Sequence, residues 1–477
     1  MSARRAVLAC AAICAASMIG PRAAECQVLD RRHRPVAPPA RAFVFPKVTE
    51  HVLANGLRIQ VVENHELPIV AVRMAMSADS TEDPAGKEGL ASVTLAMLRE
   101  GTARASADQL AREMAAIGTP VAPAGFTTTT SHVDRALDLL ADMWLHPAFA
   151  DSALKRVEAL RAAALRQQQA VPSYVARAIF YRLLYGSEHP FFRAPTDTSI
   201  ATISRDDVVR FHDQYVRPQN TTIIVVGDVR PASVLAKLTR VFGAWPRGGV
   251  TAAPHTEPVA PRQATTIFLH DAPGASQATV FVGEMGPPRT APDFFALETA
   301  NTLFGAIPGS RLWQALRERH GFTYGVLSTS LWRRSPEPST IRGSTNVNSP
   351  KTDSAVVVWL DELKAMRGER APTDEELERA RMAQVGSLPI QLETVDQIAT
   401  ALVRLSLAGE APDFYSRLAA RVPALTTSDI TAAARKYFDP DHLVIVIVGD
   451  RKTIEPALRA ANVAPVVIVD ASGRPIS

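Results

Sequence analysis

The chain has 477 residues, 47% hydrophobic and 21% charged, enough to bury more than one core and unlike the composition of a disordered chain. Its 52 basic and 48 acidic residues leave a formal net charge of +4, and the basic residues form no patch or stripe. That pattern argues against a nucleic-acid partner.

The first residues read as an address. Arg4 and Arg5 precede an apolar stretch from Ala6 to Ile19, and small residues follow at Ala23 and Ala24. This layout predicts a signal peptide over 1–24, cleaved after Ala24, and hence an exported, periplasmic protein. The paired arginines fit either a twin-arginine signal or an ordinary basic head. The stretch is short for a membrane span and no later segment supplies a longer apolar run, so no stable span is expected. Cys10 and Cys14 fall in the signal, which leaves Cys26 without an intrachain partner, and Glu25 before it disfavours a lipid anchor. Residues 25–42, including DRRHRPVAPPAR, are rich in proline and arginine and read as a flexible leader.

A first domain is expected over 43–246. Asn55-Gly56 marks a turn before a strand over Leu57–Val62, and Pro68 opens a second β-branched run through Met76. Next comes GLASVTLAMLREGT, from Gly89 to Thr102, in which Leu90, Val93, Met97 and Leu98 fall at helical spacing and form one apolar face. Helical patterns follow over 107–117, 133–144 and 153–169. Strands, then helices, then a strand predict an α+β sandwich with helices on a mostly antiparallel sheet.

The segment Ser204-Arg-Asp-Asp-Val-Val-Arg-Phe-His-Asp-Gln-Tyr-Val-Arg-Pro, followed by NTTIIVVGDV, recurs in outline from Thr426 through Pro440, followed by HLVIVIVGDR. Tyr215 matches Tyr437, Pro218 matches Pro440, and Gly227-Asp228 matches Gly449-Asp450, all in one register. In each copy a helix ends before a proline and feeds a β-branched strand, Ile223–Val226 or Val444–Val448. The chain therefore reads as two homologous domains. Residues 247–262 (RGGVTAAPHTEPVAPR) lack a hydrophobic period and read as an exposed linker, and the second domain is expected over 263–468.

The Gly89 stretch carries a resemblance. With its neighbours it is similar to the pitrilysin/insulinase family of zinc metallopeptidases, the inverzincins, and especially to bacterial two-domain members. In active members this helix reads Gly-Leu-Ala-His-x-x-Glu-His. Here those His, Glu and His positions hold Ser92, Leu95 and Ala96. Two imidazoles one helical turn apart present nitrogens to a tetrahedral metal, a carboxylate completes the set, and the motif glutamate takes a proton from metal-bound water. The family places the third ligand near Ala162–Leu165, where the sequence reads Arg161-Ala-Ala-Ala-Leu-Arg166 and offers no carboxylate. No two histidines stand at His-x-x-x-His spacing, and His189 and His212 read as packing or capping residues. Ser92 has no glycine-flanked elbow that would make it a nucleophile.

The resemblance extends to Gly309-Ser-Arg-Leu-Trp-Gln-Ala-Leu-Arg-Glu-Arg-His-Gly-Phe-Thr-Tyr-Gly325. In the family an arginine and a tyrosine of this segment reach across to substrate in the zinc site, and both are present, as Arg317 and Tyr324. Arg317 is expected in the last helical turns, Gly321 at the helix end and Tyr324 at the start of the next strand. Two donors on successive rigid elements suit a developing oxyanion, where such a donor contributes ~3 kcal/mol in well-studied enzymes. The resemblance implies half of a clamshell whose two subunits enclose a chamber. It implies no zinc on this chain, a zinc-bearing homologous partner in a heterodimer, a peptide substrate, and no hydrolysis by this chain alone. The alternatives are a peptide-binding or scaffold protein of the same fold, and an enzyme with a metal site elsewhere in the chain.

Overall fold

The computed structural model describes residues 43–476 apart from 121, 258 and 261. The predicted signal peptide, the leader over 25–42 and the three cysteines lie outside the described residues. Two sheets organise the chain. The first contains β1 (Thr49–Val52), β2 (Arg58–Glu63), β3 (Ile69–Met76), β4 (Gly125–Thr129) and β5 (Thr221–Gly227), in the order β1-β2-β5-β3-β4. The second contains β6 (Thr266–Asp271), β7 (Gln277–Pro288), β8 (Val326–Leu331), β9 (Pro338–Asn348), β10 (Val444–Gly449) and β11 (Val466–Val469), in the order β11-β6-β10-β7-β9-β8.

The repeat seen in the sequence is a repeat of topology. β5 runs parallel to β2 and antiparallel to β3, and β10 runs parallel to β6 and antiparallel to β7. Each central strand is fed by an equivalent helix, Arg205–Tyr215 or Thr427–Tyr437. Ser204 and Asp207 close a capping box on the first, and Thr426 and Asp429 close one on the second. Their side chains satisfy backbone donors that the first helical turn leaves without partners. Both sheets are mixed but mostly antiparallel, and the architecture is the expected α+β pair of helix-covered sheets.

Both central strands are buried along their whole length, because helices cover both faces of each sheet. Side chains alternate across the first sheet. Ile223 and Val225 join the core beneath the helices of the first half, while Ile224 and Val226 face the helix Val395–Leu407 from the second half. The second sheet does the reverse: Val444 and Val446 face the helix Pro172–Tyr185, which comes from the first half. Each half thus lends a helix to the other's sheet. Ile398, Leu402 and Leu405 of the Val395–Leu407 helix are buried, each contributing roughly 1.5–3 kcal/mol of apolar burial. Thr127 donates to Asp396 at 2.8 Å and Arg73 pairs with the same carboxylate, fixing the start of that helix on β3 and β4.

Residues 247–262 form no helix or strand where described, as expected, but this segment is tethered rather than loose. Asn220 Nδ2 donates to the Val250 carbonyl at 2.8 Å and Arg334 donates to the Ala252 carbonyl at 2.8 Å. The His255 N–H donates to Glu337 at 2.8 Å, and Ala252 is buried. The reading of this segment as exposed is therefore corrected at Ala252: small side chains and regularly spaced carbonyls let the chain lie in the seam between the halves. Among the described residues no helix is long and apolar enough to cross a membrane.

Candidate functional site

The stretch after Gly89 forms the helix Leu90–Met97. Gly89 opens it with φ +103°, a conformation that needs glycine. With no side chain on Gly89 to cap the helix, Asp83 does so from the preceding loop, accepting the N–H groups of Gly89 and Ala91 at 2.7 Å each. Burial pushes the Asp83 carboxyl up to about 6, against the opposing pull of those two donors. Leu90, Val93, Met97 and Leu98 are buried, as their spacing predicts, while Ser92, Leu95 and Ala96 lie half-buried away from that face.

This face lies against the long helix Asp151–Gln169, and the Arg161 guanidinium donates to the Ser92 carbonyl at 3.4 Å. A hydroxyl, two hydrocarbon side chains and a guanidinium are a poor donor set for zinc, which takes thiolate, imidazole and carboxylate ligands. The residues at this position therefore do not fit the metal. Among the described residues no group of three His, Cys, Asp or Glu is arranged to hold one. His212 is buried with Nε2 2.9 Å from the Trp144 carbonyl and its ring edge-on to Phe149. His189 is buried beside Phe191 and Tyr185, and its Nδ1 accepts the Phe191 N–H at 3.2 Å.

The second constellation is built differently. A helical segment begins at Arg311, whose buried guanidinium makes two parallel 2.8 Å bonds to Glu376 and also donates to the carbonyls of Arg370 and Ala371. Burial opposes the charge on Glu376, but Arg311 holds its carboxyl below the usual range. Residues Trp313–Arg319 are wound as a π-helix, a geometry frequent at functional sites. The run closes as the Gly321 N–H donates to the Arg317 carbonyl at 3.1 Å.

Tyr324 does not begin the next strand. It sits in a bend two residues before β8, the edge strand of its sheet. Thr323 and Thr345 explain the difference: their hydroxyls each donate to the Gly325 carbonyl, at 2.9 and 2.8 Å, so side chains replace ladder bonds there. Tyr324 is 85% exposed, and the Arg317 guanidinium lies 4.4 Å from its ring centroid. The same guanidinium carbon lies 4.4 Å from the Trp313 ring centroid. Arg317 has no carboxylate partner among the described residues. Held against two aromatic rings, its N–H donors are taken up by no carboxylate among the described residues. Trp313 was missed in the sequence, although it stands one helical turn before Arg317; Arg161 and Arg311 were missed because they act through backbone carbonyls and a distant glutamate.

Comparison with known proteins bears on this arrangement. The family model described as Insulinase (Peptidase family M16) matches residues 58–186, and the one described as Peptidase M16 inactive domain matches residues 202–384. The chain is 22% identical to an uncharacterized zinc protease, YmxG, of Bacillus subtilis, over 84% of this chain and 98% of that one. It is 21% identical to the non-peptidase homolog YmxG of Helicobacter pylori, over 84% and 94%. Among solved structures, a peptidase M16 inactive domain from Pseudomonas fluorescens superposes with a TM-score of 0.74 at 24% identity, over 85% of this chain and 98% of that one. By these matches and by its two repeated sheets, the chain belongs to the insulinase family, peptidase family M16.

Proposed function

We propose that this chain is the zinc-less subunit of a split peptidase, exported to the periplasm, which lends Arg317 and Tyr324 to peptide held at the metal of a zinc-bearing homologous subunit. The observation that carries the reading is the Arg317–Tyr324 pair: stacked together, unpaired with any carboxylate among the described residues, and presented at the surface beside an edge strand. Its own metal positions, Ser92, Leu95 and Ala96 with Arg161 alongside, lack ligand chemistry, so no hydrolysis is assigned to the chain alone. The partner's zinc would supply the activated water; this chain's guanidinium and phenol would hold the substrate carbonyl and the oxyanion formed from it.

Tyr324→Phe keeps the ring over Arg317 and removes one donor. In the purified pair this variant is expected to lower kcat by about 10²-fold while leaving assembly on a sizing column intact. Unchanged turnover in an assembled pair would overturn the reading. A second reading, a peptide-binding or scaffold protein of the same fold, is favoured by the name of the Helicobacter relative, non-peptidase homolog. Its signature would be assembly with neither residue affecting any turnover.

A further inference from the structure

The sequence shows no basic stripe, yet folding assembles one along the helix Pro172–Tyr185, where that helix covers the second sheet. Arg177 lies on this helix, Arg342 on β9 and Arg333 just beyond β8, so no run of sequence contains them. Each guanidinium rests on an aromatic ring. Arg177 lies 5.3 Å from the Tyr174 centroid, Arg342 5.7 Å from Tyr181, and Arg333 5.4 Å from Tyr185 and 3.5 Å from Phe191. All three stand near the Tyr181 hydroxyl, in the middle of the row.

None of the three pairs with a carboxylate among the described residues. Arg342 Nε is buried without a hydrogen-bond partner there, and Arg333 uses its Nε on the Tyr185 hydroxyl at 3.3 Å. Glu337 stands near Arg333 but beyond ion-pair reach, and its carboxylate accepts the His255 N–H at 2.8 Å. Buried polar groups are ordinarily bonded, and an arginine laid on an aromatic face presents a fork of N–H donors that matches a carboxylate. The row is open at both ends. Ser173, at its start, shares a groove with Trp313 and Gly325, next to the Arg317–Tyr324 pair. Phe191 and Arg333, at its other end, line a cavity of about 820 Å³ between the halves. From Tyr174 to Tyr185 the helix rises roughly 16 Å, the reach of about five residues of extended chain.

We infer that this row binds an acidic segment of peptide, extended along Pro172–Tyr185 with its carboxylates on Arg177, Arg342 and Arg333 and its chain leading to Arg317 and Tyr324. The inference rests on the peptide-handling reading above and narrows its substrate to acidic, extended chains, but it needs neither zinc nor a partner. Binding is therefore measured on the mature chain alone, by fluorescence anisotropy of labelled acetyl-ELELE-amide, whose alternate residues place the carboxylates on one side. Saturable binding is expected, weakened by about tenfold or more when acetyl-QLQLQ-amide replaces it and by a similar factor in Arg342→Gln and in Arg177→Gln. Arg112→Gln, which removes an exposed arginine on the helix Ala107–Ala116, should leave binding unchanged. If the acidic peptide does not bind, if the two peptides bind alike, if Arg112→Gln weakens binding as much as folded Arg177→Gln, or if an oligothymidylate of equal charge binds more tightly, the inference is overturned. Acidic-peptide binding together with unchanged turnover in Tyr324→Phe would uphold this site and overturn only the catalytic role of Tyr324.

Discussion

Asp207 performs two structural roles with one carboxylate. It accepts from the Ser204 N–H at 2.8 Å and from the Ser204 hydroxyl at 2.7 Å, and it meets Lys87 Nζ at 2.9 Å. Lys87 lies in the loop that enters Gly89, so this side chain ties the repeated helix to the helix carrying Ser92. Burial opposes the charge, but Lys87 and Ser204 outweigh it and hold the carboxyl well below its ordinary value of 3.8. A depressed carboxylate contributes stability that is present above its unfolded value and is lost as pH falls below it, because the fold then resists a proton that the unfolded chain accepts. Asp207→Ala should therefore cost about 2 kcal/mol near neutral pH in urea unfolding. The gap between variant and wild type should close as pH falls below 3.8. A gap that stays constant into acid would mean that shape rather than charge carries the contribution.

The central strands show what an element reveals before it is seen folded. Ile223–Val226 and Val444–Val448 were legible as strands because β-branched residues run unbroken to Gly-Asp, and such runs belong to strands buried on both faces. Their shared register made the repeat visible too. The bend at Tyr324 was not legible, since Thr323 and Thr345 stand 22 residues apart and neither is unusual alone. The closing glycines, though matched in sequence, are not equivalent in the fold. Gly227 has φ +140°, and a side-chain carbon there would collide with the backbone carbonyl of Ile69, which cannot withdraw without breaking the β3–β5 pairing. Gly449 has no such φ, and its added carbon would meet Ile454 Cδ1 at 2.6 Å and Ala278 Cβ at 2.9 Å, of which the isoleucine tip can turn aside. Gly227→Ala should lower stability by roughly 3 kcal/mol or more, and Gly449→Ala by distinctly less. Equal losses in thermal unfolding would mean that crowding alone, without the backbone conformation, sets both costs.

At the scale of the molecule, the two repeats are separate in sequence and entangled in packing. The sequence pattern marks a break over 247–262 because periodicity reports only that a helix has an apolar face, never which sheet receives it. Helix Pro172–Tyr185 buries Ile179, Phe180 and Leu184 on the second sheet, while Val395–Leu407 closes the first. A chain ending at 246 would leave Val62, Ala71, Ile224 and Val226 facing water, and would leave the apolar side of Pro172–Tyr185 without its sheet. An exposed apolar face of that extent on a sheet invites association. The halves are accordingly expected to unfold together, in one urea transition reported alike by Trp144 and Trp245 of the first half and by Trp359 of the second. Cleavage near Gly248 should leave both fragments co-eluting as a native complex until denaturant is added, whereas 43–246 expressed alone should aggregate or remain only partly folded. Two resolved transitions, or a soluble first half with native near-ultraviolet dichroism, would show that each sheet folds without the helix it borrows.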